Sequence, residues 1–134
     1  MIVFYDTCVH IELLRGAIAP DFLESYVSGK VRLSPVVASE LLRGARGRAK
    51  RSVDQIIADL VPLEPKSWRS AWLETGTLLP KIFPDHESVG LSRLQNDCMI
   101  ALTARDTGAV LLTLDAHFES IAEHLPFTWK RITP

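Results

Sequence analysis

The chain has 134 residues, 47% of them hydrophobic and 23% charged, and a net charge of −1. That length and balance suit one globular domain with a real core and exclude a protein that coats nucleic acid by bulk positive charge. No run of about 18 apolar residues is present, and no basic stretch leads into an apolar one and a cleavage site, so neither a membrane span nor export is expected and the reading is cytoplasmic.

Ile2-Val3-Phe4-Tyr5 is a short apolar run that predicts a buried strand, and it ends directly in Asp6. "TCVHIELLRG" predicts a helix closing near Gly16, and "APDFLESYVSGK" a second with Pro20 near its start and Gly29 after it. "VRLS" follows as a strand. Ser34-Pro35 is a helix start, serine as N-cap and proline at the first position, where its missing N–H costs nothing. That helix runs through "VVASELLRG"; others cover roughly 48–60 and "SWRSAWLETGTLL". After the loop "FPDHESVG", a long helix spans "LSRLQNDCMIALTARDTG" and closes at Gly108. "AVLLT" is an apolar strand, a short helix begins at Asp115, and "FTWKRI" is the last strand. Strands alternating with helices over short connections predict an α/β fold with a mostly parallel central sheet flanked by helices. No repeat or linker divides the chain, so residues 1–134 are expected to form a single domain.

Four carboxylates stand out on this frame. Asp6 and Asp115 follow predicted strands, and ligands in open α/β sheets sit outside the carboxyl ends of strands. Both positions also suit helix N-caps, and a carboxylate with two oxygens can do both. Glu40 shares an apolar helical stripe with Val36 and Val37, where Arg43 at i+3 offers an ordinary partner. Asp97 lies on a stripe with Leu94, Ile100, Ala101 and Ala104, a costly place for a lone charge unless it is bonded to a backbone amide or to Asn96. Carboxylates converging at one end of a sheet repel each other, and a divalent cation offsets that repulsion. Oxygen donors without clustered His or Cys favour Mg²⁺ or Mn²⁺, one or two ions, over zinc. Cys8 and Cys98 form no CxxC pair, and His10, His86, His117 and His124 show no metal-ligand spacing. His117, close in sequence to Asp115, is placed to approach a substrate, but the preferred reading is a surface histidine.

Between Arg43 and Arg51 the stretch "RGARGRAKR" carries Arg43, Arg46, Arg48, Lys50 and Arg51 and no acid. On a neutral protein such a patch suits a phosphate-bearing ligand, or else a solvated helix face. Trp68 and Trp72, four apart, share a helical face that is either core or an apolar groove for a partner.

In these segments the sequence resembles the PIN-domain ribonucleases, and among them the VapC-type toxins of toxin–antitoxin pairs. "VFYDTCV", "SPVVASELLRGA", "NDCMIALTA" and "LLTLDAHF" match the four family motifs in order and span nearly the whole chain. The resemblance implies a PIN-like sandwich whose metal-binding acids are Asp6, Glu40, Asp97 and Asp115, with Thr113 orienting water or the neighbouring carboxylate. It also implies an RNA substrate, an antitoxin partner and a homodimer. Cys8 stands where Ser or Asn is frequent and Arg43 where Tyr is frequent, and neither change removes an acid. A haloacid-dehalogenase phosphatase would place a second Asp where Cys8 stands, and a receiver domain would pair its first acids. A non-catalytic RNA-binding scaffold gains nothing from clustered negative charge beside RNA.

Overall fold

The computed structural model describes residues 1–134. In chain order the elements are β1 (Ile2–Tyr5), α1 (Thr7–Leu14), α2 (Pro20–Glu24), β2 (Lys30–Arg32), α3 (Pro35–Gly44) and α4 (Arg48–Asp59). They continue with α5 (Trp68–Ile82), α6 (Leu91–Thr107), β3 (Val110–Thr113), α7 (His117–Ala122) and β4 (Trp129–Arg131). The four strands form one parallel sheet in the order β2-β1-β3-β4. Val3 pairs with Val31 on one side and with Val110 on the other, so β1 is central and donates and accepts along both edges.

Alternation along the central strands divides the core in two. Phe4 and Leu111 face the larger cluster, built with α3, α5, α6 and α7 through Val37, Ala71, Met99 and Phe118. Val3, Val110 and Leu112 face the smaller one, closed by Val9 of α1 and Leu23 of α2. The apolar character of β1 and β3 follows from this double coverage.

α6 is buried without a break from Asp97 to Ala104, so it lies inside the molecule rather than showing the sheet a single stripe. Gly108 closes it in the left-handed conformation, φ 74°, and its amide donates to the Ala104 carbonyl. Ser34 caps α3 as expected, its hydroxyl accepting from the Val36 amide at 3.2 Å.

The strands β2 and β4 are shorter or shifted by a residue or two from the sequence reading, and three helix boundaries differ from it. α2 stops at Glu24, and Gly29 is not its terminator. A Cβ on Gly29 would lie 2.6 Å from the Met1 carbonyl oxygen, which accepts from the Lys30 amide; the glycine lets β1 and β2 approach. α5 continues past Pro80 to Ile82, because packing of Leu79 in the core outweighs the one helical bond that proline removes. α7 begins at His117 rather than at Asp115.

Candidate active site

The chain runs from β1 toward one edge of the sheet and from β3 toward the other, which opens a crevice at the carboxyl ends of these two strands. Asp6 and Asp115 enter it from the ends of β1 and β3, α3 brings Glu40 and α6 brings Asp97. Asp6 is 6% exposed and caps α1: its Oδ1 accepts from the Thr7 amide at 2.7 Å. Its Oδ2 accepts from the Thr113 hydroxyl at 2.9 Å and from the Cys8 thiol at 3.5 Å. Burial raises the Asp6 pKa against these donors, and Glu40 adds to the rise. Cys8 is itself pushed up to about 12 by burial and by Asp6, so it stays a thiol and acts as a donor to the carboxylate.

Thr113 joins the two loops. While donating to Asp6, its oxygen accepts from the Asp115 amide at 2.9 Å. Asp115 Oδ1 accepts from the His117 amide at 2.8 Å, which starts α7, and Oδ2 accepts from the Arg93 guanidinium at 2.6 Å. Burial pushes Asp115 up, but these donors and the nearby positive charge hold it below its ordinary value. Glu40 comes from α3, where Oε1 accepts from the Thr7 hydroxyl at 2.7 Å and Oε2 stands 4.0 Å from Arg43.

Asp97 is the exception in this network. It is 4% exposed, and its Oδ2 has no hydrogen-bond partner. Neither the Asn96 side chain nor a backbone amide satisfies it. Burial, then Asp6 and Asp115, push its pKa up to about 8, with Arg93 opposing and Glu40 adding. His117 Nδ1, also buried and unpaired, lies 3.9 Å from Asp97 Oδ2 and 3.7 Å from Asp115 Oδ2. Asp97, Asp115 and His117 offer ligand atoms that all lie within 4.8 Å of one another. An orphaned carboxylate oxygen among like charges is relieved by a cation or by a proton.

The sequence reading missed three contributors. His117 is not a plain surface residue, because its Nδ1 faces the acids. Arg93 gave no signal beyond lying four residues before Asp97, on the same helical face. Thr7 is placed by α1 alone. The basic run is only partly free. Arg46 turns back to donate to the carbonyls of Arg43 and Ala45, and Lys50 pairs with Asp54 at 3.3 Å. Arg48 lines a cleft of about 370 Å³ between α1, α3 and α4 that also holds Glu40, Arg15 and apolar Ile11, Leu14 and Val53. With Arg51 it also borders an open groove beyond Gly47. Of the tryptophans, Trp68 packs against the core, while Trp72 is 51% exposed beside Leu73 on α5.

Residues 3–124 match the PIN domain family model. No curated protein matches the sequence. Among solved structures the chain is similar to VapBC-1 from nontypeable Haemophilus influenzae, at TM-score 0.67 and 22% identity over 98% of each chain. It is also similar to VapBC2 from Rickettsia felis bound to a DNA fragment from their promoter, at TM-score 0.65 and 16% identity over 99% of this chain and 100% of that one. The parallel four-stranded sheet, the acids at its switch point and the family match agree: the chain belongs to the PIN domain family, whose members are generally nucleases.

Proposed function

We propose that the protein is an endoribonuclease dependent on Mg²⁺ or Mn²⁺. On the same reading it is the toxin of a type II toxin–antitoxin pair, inhibiting translation in the cytoplasm as a homodimer restrained by an antitoxin protein. The observation that carries the catalytic part is the unpaired, buried Oδ2 of Asp97 facing Asp115 and His117. The toxin assignment is supported by the likeness of the fold to VapBC structures along nearly the full length of both chains.

Asp6, Glu40, Asp97 and Asp115 would hold one or two ions. A bound divalent cation supplies Lewis acidity toward water and toward the phosphoryl oxygens. Thr113 fixes Asp6 and the Asp115 backbone at once, and Thr7 fixes Glu40, so the carboxylates are aimed before any ligand arrives. Arg48 and Arg51 present the phosphate grip on the cleft and groove side, with Arg43 beside Glu40 and with Lys50 and Arg46 as its less available members. Trp72 and Leu73 form an apolar spot suited to a protein partner.

Water adds to phosphorus, the bond to the 3′-oxygen breaks, and the products carry a 5′-phosphate and a 3′-hydroxyl. Purified protein incubated with cellular RNA and Mn²⁺ should produce discrete cuts with 5′-phosphate ends. They should vanish with EDTA and with Asp97→Asn. Cyclic 2′,3′-phosphate products that survive EDTA would rule the scheme out.

A further inference from the structure

Arg93 is a largely exposed charge that touches the site, and nothing about core packing requires it there. Its side chain is 62% exposed, yet its guanidinium reaches Asp115 Oδ2 at 2.6 Å. It sits in the first turn of α6, after a glycine N-cap with no side-chain capping bond and with no acid in that turn. A cation at the positive end of a helix dipole is misplaced by the helix's own electrostatics, so its position is set by what it touches. Asp115 does not need it for orientation, because the His117 amide already fixes Oδ1. Arg93 instead covers the second oxygen, the one nearest His117 Nδ1. Asp97, one turn further along the same face of α6, is left with its own oxygen unpaired.

We propose that Arg93 is an exchangeable latch. In the free protein it occupies Asp115 Oδ2 and competes there with a divalent cation; when RNA docks, it moves to a phosphate and releases the carboxylate to the ion. The inference rests on the metal-site reading above. Arginine suits both partners, since its planar fork matches carboxylate and phosphate alike. Its exposure leaves the guanidinium free to swing outward, whereas a buried arginine would be held by its packing. Arg93 is a positioning residue in this scheme: it governs when Asp115 is available.

The test is Mn²⁺ titration by calorimetry on wild type, Arg93→Met and Arg93→Lys, each cleared of metal beforehand. Methionine keeps the helix propensity and the aliphatic stem, and circular dichroism checks the fold. Arg93→Met should bind Mn²⁺ roughly three- to tenfold more tightly than wild type, because one positive charge a few ångströms away has gone. Arg93→Lys should stay close to wild type. In EDTA, Arg93→Met should bind a short single-stranded RNA more weakly, with a plot of log K against log salt shallower by about 0.7. Unchanged Mn²⁺ affinity in the methionine variant overturns the latch, and an unchanged salt slope overturns the move to phosphate. If neither protein takes up Mn²⁺, the metal-site reading fails and the latch with it. That outcome is distinct from equal binding by both.

Discussion

At the level of single residues, Asp97 and His10 pull stability in opposite directions with pH. Asp97 is raised to about 8 in the fold, so the folded protein binds its proton more tightly than the unfolded chain does. Its contribution is fully present below the unfolded value and is lost as pH rises through 8. His10, buried with its Nε2 unpaired, is lowered to about 4 by burial, so its contribution is lost as pH falls from the unfolded value toward 4. The two oppose each other in acid, but above about pH 7 only the Asp97 slope of this pair remains. Metal-free protein should therefore melt at a lower temperature at pH 8.5 than at pH 7, and Mn²⁺ should remove most of that difference. Asp97→Asn should flatten the slope and stabilise the metal-free protein at pH 8 by on the order of 2 kcal/mol. A metal-free variant that melts no higher than wild type there would place the strain elsewhere. Thr113→Val, nearly isosteric, leaves Asp6 Oδ2 with only the weak Cys8 thiol donor and strands the Asp115 amide. Denaturant unfolding should show a loss of about 1–3 kcal/mol, with RNA cleavage falling more than stability does.

Elements were the most legible level. β1 and β3 read plainly because burial on both faces leaves an unbroken apolar run, and α3 because Ser34-Pro35 states its start chemically. Asp6, Asp115 and Asp97 were legible for a related reason: each is a charge at a place the surrounding pattern marks as buried or as a strand's end. Arg93 and His117 were not, because their importance lies in how the starts of α6 and α7 meet around Asp115 and Asp97, and neither breaks a local pattern. Gly29 misled for the same reason, since a glycine needed by a neighbouring strand looks like one that ends a helix. Ser34→Ala tests how far an element's integrity reaches into the site. Losing the cap should cost about 1 kcal/mol in thermal unfolding. Because α3 carries Glu40, cleavage should drop severalfold at temperatures where the protein is still folded. Unchanged cleavage would show that Thr7, not the helix start, holds Glu40 in place.

For the molecule as a whole, a net charge of −1 conceals a division of labour: acids gather at the sheet's switch point, while cations line the cleft beside α3 and α4. Binding to RNA should then depend on a few placed cations rather than on overall charge. Arg48→Ala should weaken RNA binding across sequences and make the salt slope shallower by about 0.7, as filter binding at several salt concentrations would show. Arg46→Ala should leave that slope nearly unchanged, because its guanidinium is occupied by the Arg43 and Ala45 carbonyls, and should instead loosen the end of α3. Equal slopes for the two variants would mean that Arg46 leaves those carbonyls when RNA arrives. The bond from Thr113 to Asp6 has a further consequence, because it joins positions 107 apart in the chain. A growing polypeptide has nothing to align Asp6 with until β3 and Asp115 have left the ribosome and paired beside β1. On the proposed reading, the site stays unassembled while the ribosome makes the segment between Asp6 and Thr113.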